Sequence, residues 1–339
     1  MNKFNVAVVG ATGVVGEVLL ELLAERKFPI NTLYPLASSR SAGSTITFSD
    51  KEYEVLDLAK FDFTGVNFAF FSAGAAVSAD YVPKATDAGC IVIDNTSHFR
   101  YDDNVPLIVP EVNAQAIETY RKTNIIANPN CSTIQMLVAL KPIYDAVGID
   151  RINVATYQAV SGAGNEAVSE LARQTAEFLN GNEVMNDVFP KQMAFNVLPQ
   201  IDVFEDNGYT REEMKMVWET QKIFGDHQIK VNPTAVRVPV FYGHSEAIHI
   251  ETDQPLDVNE AITLLNEAPG VLVIDHPDYP TPITHAASQD AVFVARIRKD
   301  ISHPNGLNLW VTSDNVRKGA ALNAIQIAEM QIANSFYFH

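Results

Sequence analysis

The stretch Phe4–Gly16, FNVAVVGATGVVG, decides how the first third of the chain is read. Phe4–Val9 is a short valine-rich run of the kind that forms a buried strand. From Val15 onward the apolar residues Val18, Leu19, Leu22 and Leu23 recur at helical spacing. Between the two patterns lie Gly10, Gly13 and Gly16. Glycines there permit a tight turn and let backbone amides approach an anion at the N-terminus of the helix, where the dipole favours negative charge. The spacing is G-x-x-G-x-x-G, because Ala11 and Thr12 separate the first two glycines, so it departs from the commoner G-x-G-x-x-G. The strand–turn–helix context points to a bound dinucleotide.

Working outward, Leu33–Ala37, Asn67–Ser72, Cys90–Ile93, Leu107–Val109 and Ile125–Ala127 form further apolar runs, with a helical stretch ending near Ala88. Alternating strands and helices predict a parallel sheet covered on both faces. After the second run, where an NAD-preferring site carries an acid about 20 residues beyond the glycines, the chain has Ser38, Ser39 and Arg40. Hydroxyls and a guanidinium suit a 2′-phosphate, so the expected cofactor is NADP.

The middle of the chain reads differently. Arg151–Val160, Ala235–Val240, Glu246–Glu251, Ala291–Ile297 and Asn308–Val311 predict strands, and 166–180 and 258–266 predict helices. This is an α+β pattern with a largely antiparallel sheet. The Asn-, Asp- and Pro-rich stretch 179–209 predicts a long excursion. The tail, 317–336, is helical, with Leu322, Ile325, Ala328 and Ile332 on one face. The predicted domains are therefore a discontinuous nucleotide-binding domain, 1–129 plus 317–339, and a second domain, 130–316.

Composition sets limits. The 339 residues are 47% hydrophobic and 19% charged, a globular balance, with a net charge of −17. That charge disfavours nucleic acid and anionic membranes, both of which need positive potential. The most apolar region, Val66–Ala79, is interrupted by polar residues and is shorter than the ~20 residues of a membrane span. No secretory leader pattern opens the chain and only two cysteines occur, so a reducing cytoplasm is expected. No ligand spacing for a metal is present.

Cys90 sits in a buried-strand pattern and reads as a small hydrophobe. Cys131 lies among Asn128, Asn130 and Ser132, where a loop broken by Pro129 meets an apolar helical pattern. A helix N-terminus favours a thiolate and can hold an oxyanion. His244 follows Tyr242-Gly243 between two strand-like runs and is the candidate proton-transfer group, whereas His249 reads as a packing or surface histidine.

The stretches GATGVVG (10–16), NPNCSTIQ (128–135), SGAG (161–164), RVPVFYGHSEA (237–247) and DNVRKGAALNA (314–324), in this order along the whole chain, resemble the aspartate-semialdehyde dehydrogenases. The resemblance implies a Rossmann-type domain joined to an α+β catalytic and dimerisation domain of the glyceraldehyde-phosphate-dehydrogenase-like kind. It implies NADPH-dependent reduction of L-aspartyl 4-phosphate to L-aspartate 4-semialdehyde and phosphate, on the way to lysine (through diaminopimelate), threonine and methionine, by a homodimer. By the same resemblance Cys131 is the nucleophile, passing through an acyl-thioester, and His244 the acid/base. Arg237 and Gln158 hold the substrate, with Asn130 beside the nucleophile and Glu212 on the substrate ammonium, although the adjacent Glu213 is not separated from Glu212 by sequence. Arg100 and Lys215 match the phosphate-binding pair; Arg100 could instead pair with Asp102 or Asp103, and Lys215 with Glu212. Gly10, Thr12, Gly13, Val14, Val15, Ser38, Ser39, Arg40, Ser161, Gly162 and Asn315 are the implied cofactor contacts. The alternatives are a paralogous acyl-phosphate reductase and a non-catalytic NADP-binding homologue. Arg237 and His244 are seven residues apart, so an unbroken strand would point them to opposite faces; the pairing requires a bend at Tyr242-Gly243.

Overall fold

The computed structural model describes residues 3–337, the last four of them by backbone alone. The chain divides into two compact units, 1–130 with 320–339, and 131–319. Asn130 thus belongs to the first unit and residues 317–319 to the second, the reverse of the sequence expectation. Gly319 packs closely on Cys131: a Cβ there would stand 2.8 Å from the Cys131 Cβ, so only a glycine lets the segment before the last helix lie against the start of the helix that begins at Cys131.

In the first unit, β1 (Phe4–Val9) leads into α1 (Val14–Glu25), then β2 (Ile30–Ala37), β3 (Thr45–Phe48), β4 (Lys51–Glu54) and β5 (Leu56–Asp57). β6 (Phe68–Phe71), α2 (Ala75–Asp87), β7 (Ile91–Asp94), the short α3 (Pro110–Asn113) and β8 (Ile125–Ala127) follow. The six-stranded sheet has the order β5-β2-β1-β6-β7-β8, and every pair is parallel. Such an order reverses direction between β1 and β6, and ligands bind at that switch point beyond the carboxyl ends of the strands.

Leu107–Val109 is not a strand. Pro106 and Pro110 bracket it, each removing a ladder donor, and only Leu107 bridges to Ala127 before Asn113 caps the turn through Val109 N and Leu107 O. The β3–β4 hairpin was not expected, because its turn uses Ser49 and Asp50 at φ +47° and +62° rather than the usual Asn-Gly.

In the second unit, α4 (Cys131–Val147) precedes β9 (Ile149–Gln158), α5 (Asn165–Leu179), α6 (Arg211–Phe224), β10 (Lys230–Arg237) and β11 (His244–Thr252). Then come α7 (Val258–Glu267), β12 (Val271–Val273), β13 (Val292–Lys299) and β14 (Gly306–Ser313). The sheet order is β10-β9-β11-β14-β13-β12. Its interior pairs are antiparallel as expected, but both outer pairs, β10–β9 and β13–β12, are parallel, which makes the sheet mixed. The β9-to-β10 connection carries two helices and is a crossover of the kind a parallel pair requires.

The excursion between α5 and α6 is tied down by two buried side chains of α5. Glu170 accepts the amides of Asp187, Val188 and Phe189, and Gln174 accepts those of Met193 and Ala194. After the second unit, α8 (Leu322–Tyr337) returns to the first, where Leu322, Ala324, Ile325, Ile327 and Ala328 join the core built on β1, α1 and β6. The Arg26–Glu329 pair, at 2.6 Å, fastens α8 to the end of α1. Among the described residues no helix is long and apolar enough to cross a membrane.

Candidate active site

The site in the second unit is set by strand register. Arg237 and Gln158 are paired at the ends of the parallel strands β10 and β9. On the other side of β9 the ladder with β11 ends at the Tyr157–Ser245 pair, and Gln158 and His244 follow it. Three polar side chains therefore stand in a row across three strand ends. The bend between Arg237 and His244 is real: β10 stops at Arg237, β11 starts at His244, and Gly243 between them has φ +90°. With that bend, both side chains face one space. A Cβ on Gly162 would lie 3.2 Å from Arg237 Nη1 and 3.5 Å from His244 Nε2, so the bare glycine keeps the space open.

Cys131 is the first residue of α4 and is partly exposed. Its charge as a thiolate acts on Arg237, as does that of Glu212. Both favour the guanidinium against burial, which pulls Arg237 below its usual range. Arg237 Nη1 donates to Ala159 O at 2.8 Å.

Glu212 is buried and accepts from Gln158 Nε2 at 3.1 Å and from Lys215 Nζ at 3.2 Å. Glu213 is used differently: it closes a capping box with Thr210 and accepts Ala235 N, so of the two acids Glu212 is the one at the site. Lys215 also reaches Asp202 at 2.9 Å, which brings the excursion to the edge of the site.

His244 is fully buried. The Ala159 amide donates to its Nδ1 at 3.0 Å, which assigns the ring proton to Nε2. Burial, reinforced by the nearby Arg237 charge, pushes the imidazole down to about 3, against the opposing pull of Glu212 and of the Gly243 backbone. The ring is thus neutral, and its Nε2, buried and without a hydrogen-bond partner, faces the Gly162 turn. To accept a proton at Nε2 it would have to move its own to Nδ1, where the Ala159 N–H already points.

Asn315 is 3% exposed, and its amide is turned inward. Its oxygen accepts from Gly243 N at 2.8 Å and from Ser161 Oγ, and its nitrogen donates back to Ser161. Side chains expected at a cofactor therefore knit the Ser161-Gly162 turn to the bend before His244.

The remaining expected residues lie in the first unit. Gly10 has φ +88°, and a Cβ on Gly16 would meet Gly10 O at 2.0 Å, so the glycine turn requires both. Gly13 caps α1 without any side-chain cap, so no side chain competes for the amides at the helix start, in the Thr12–Val15 segment. Ser38, Ser39 and Arg40 are exposed beyond β2. An acid does stand there, from another strand: Asp57 of β5 accepts from Ser39 Oγ at 3.1 Å. Arg100 Nη2 donates to Asn95 O at 2.7 Å and its charge acts on the buried Asp94. Asn95 also accepts from Asn128, two residues before the buried Asn130. Cys90 is buried against Phe63 O and Val66 O, and burial pushes its thiol up to about 12. His249 pairs with Asp300 and Asn153. Among the described residues no group of three or more His, Cys, Asp or Glu is arranged to hold a metal ion.

Sequence reasoning passed over Gln135 and Glu246. Both lie fully buried behind the site, one helical turn after Cys131 and two strand residues after His244. Their only signal was that spacing.

Comparison with known proteins adds the family. Residues 5–120 match the semialdehyde dehydrogenase NAD binding domain, and 140–318 the semialdehyde dehydrogenase dimerisation domain. An aspartate-semialdehyde dehydrogenase of Shewanella violacea is 62% identical over 336 residues, 99% of each chain. The structure of aspartate semialdehyde dehydrogenase II from Vibrio cholerae, complexed with ASA, superposes with a TM-score of 0.97 at 58% identity, covering 98% of this chain and 99% of that one. That of the Candida albicans aspartate semialdehyde dehydrogenase with NADP gives a TM-score of 0.79 at 26% identity, over 98% and 99% of the two chains. Matched from end to end in sequence and in fold, the chain belongs to the aspartate-semialdehyde dehydrogenase family.

Proposed function

We propose that the protein reduces L-aspartyl 4-phosphate to L-aspartate 4-semialdehyde with release of phosphate, in the biosynthesis of lysine, threonine and methionine. The observation that carries this reading is the convergence of Arg237 and His244 on the open space over Gly162, with Gln158 and Glu212 beside them and the Cys131 charge within reach of Arg237.

Arg237 and Gln158 hold the substrate carboxylate, Arg237 through a planar fork that matches it. Glu212 takes the substrate ammonium. Lys215 and Arg100 neutralise the phosphate, and Asn130 precedes the nucleophile. Cys131 attacks the acyl carbon as a thiolate; phosphate leaves and an acyl-thioester remains, which divides one hard step into two easier ones. The His244 Nε2–H donates a hydrogen bond to the oxygen that becomes negative when the carbonyl turns tetrahedral, so in this geometry it serves as a fixed donor.

The glycine turn fits a dinucleotide on its own stereochemistry: Gly10, Gly13 and the amides at Thr12, Val14 and Val15 cradle a pyrophosphate, with Ser38, Ser39 and Arg40 at the adenosine 2′-phosphate. When bound, NADPH would supply hydride to the thioester carbon; the bond from that carbon to Cys131 Sγ then breaks, releasing the semialdehyde and returning the Cys131 thiolate. Ser161, Gly162 and Asn315 shape the turn that limits the reaction space.

The test is NADPH absorbance in the reverse direction, with NADP, L-aspartate semialdehyde and inorganic phosphate each omitted in turn. Phosphate-dependent NADPH formation, lost on alkylation of Cys131, is expected. Firm NADP binding without turnover of this aldehyde would move the assignment to another acyl phosphate.

We further propose a cytoplasmic homodimer. The outer face of the second sheet carries the half-exposed Tyr157, packed at 5.7 Å on Trp310, and Tyr279 on a groove with Ala247, Arg296, Arg298 and Leu309. Exposed aromatic side chains on a sheet face favour a protein contact, and the matched dimerisation domain includes these residues. Sedimentation is expected to give twice the chain mass of 37.2 kDa at micromolar concentration. A monomer would refute the dimer.

A further inference from the structure

Glu246 is 0% exposed, and among the described residues neither carboxyl oxygen has a partner in full hydrogen-bond geometry; the Gln135 amide is the one polar side chain near enough to favour its charged form. It lies on β11 two residues beyond His244, hence on the same face of the sheet, directly opposite Thr156 of β9 and Val311 of β14. Thr156 Oγ1 accepts from Gln158, and its own hydroxyl does not reach the Glu246 carboxyl in hydrogen-bond geometry. From α4, the Gln135 side chain lies against the carboxyl. Its nitrogen makes a long contact to His244 O at 3.5 Å, while its oxygen is buried with no hydrogen-bond partner. From α6, the charged group acting on Glu246 is another acid, Glu212. No cation is among the groups that act on it: Lys215 and Arg237 both serve Glu212.

An ionised Glu246 would thus be a buried charge without a counter-ion, set beside a second carboxylate and with only the Gln135 amide to offset it, while the oxygen of that amide lacks a donor. That combination is costly on every count. One proton resolves it, because a carboxylic acid gives the Gln135 oxygen the donor it lacks. We propose that Glu246 is a positioning residue: as a neutral acid it donates to the Gln135 side-chain oxygen and so fastens the first turn of α4, which carries Cys131, to the strand end that carries His244. The local electrostatics run the same way, since burial first and then Glu212 push this carboxyl well above its ordinary range, with Gln135 opposing.

The kinetic consequence rests on the proposed reaction, but the protonation state does not, and the test separates them. In the full chain without ligand near neutral pH, the infrared difference between wild type and Glu246→Gln is expected to show the carbonyl band of a protonated carboxylic acid. A difference made of carboxylate bands alone would overturn the proposal. Gln at 246 can donate to the same oxygen, so Glu246→Gln is expected to keep the rate of Cys131 alkylation and kcat within about threefold. Glu246→Leu fills the space but donates nothing; alkylation and kcat are expected to fall about 10- to 100-fold with little change in KM. Loss in Glu246→Gln as deep as in Glu246→Leu would show that an ionised carboxylate is needed, and wild-type kinetics in Glu246→Leu would show that the contact positions nothing. Should Glu246→Leu fail to fold, the infrared band and the Glu246→Gln rates still decide.

Discussion

Cys131→Ala is expected to lower turnover by on the order of 10⁴-fold or more while leaving NADP binding in place. The size of the effect follows from what is removed. Without the thiolate no acyl-thioester forms, and the side chains nearest Gly162 do not replace it: Arg237 is a cation, His244 is neutral with its proton on Nε2, and the neighbouring Ser161 hydroxyl is hydrogen-bonded to Asn315. Retention of the cofactor follows from the separate origin of the glycine turn, which belongs to the first unit. Steady-state NADPH formation and fluorescence titration with NADPH measure the two halves. Turnover close to wild type would mean that the nucleophile is wrongly assigned. Cys131→Ser makes a softer case, since a hydroxyl in the same place retains a trace of the chemistry.

The second large effect lies in substrate affinity. Arg237→Ala is expected to raise KM for L-aspartate semialdehyde by about 10²- to 10³-fold, because it deletes the buried cation proposed to hold the substrate carboxylate and removes one of the charges that balance Glu212. Arg237→Lys keeps a charge but loses the planar fork that also holds Ala159 O at 2.8 Å, so an intermediate KM is expected. If both variants changed kcat and left KM untouched, Arg237 would act on the reacting atoms and not on the carboxylate. The Lys variant also guards against a trivial result, since it preserves the charge balance of the interior.

Much of this architecture could be read from residue pattern because the pattern is local. The valine run before Gly10 and the helical spacing after it depend only on neighbours in the chain, and they formed as expected. The position of Cys131 at a helix start was legible for the same reason. The convergence of Arg237 and His244 was legible only as a condition, a bend at Gly243, because strand alternation alone places them on opposite faces. What pattern could not supply is register. Nothing in the residues near 158 or 237 says that their strands run parallel and in step, yet that pairing puts Gln158 beside Arg237. Likewise Glu212 and Glu213 are equivalent in sequence, and only the helix cap distinguishes them. Asp57 approaches Ser39 across a strand pair that no local signal announces. Glu246 was invisible for a further reason: an acid in an alternating strand is ordinarily taken as solvated, and its burial comes from α4 packing on β11.

The return of α8 to the first unit also sets the order in which the protein can be completed during synthesis. Residues 131–319 form a contiguous block, so once they have left the ribosome nothing later in the chain is needed for their core. The first unit is emitted earliest, but its core lacks Leu322, Ala324, Ile325, Ile327 and Ala328 until the final helix emerges. Domains ordinarily fold from the N-terminus forward as they are made; here the sheet with the glycine turn waits, with an apolar surface open, for the last twenty residues of the chain. The half that is translated first is finished last, and the unit bearing Cys131, Arg237 and His244 is already folded when it closes.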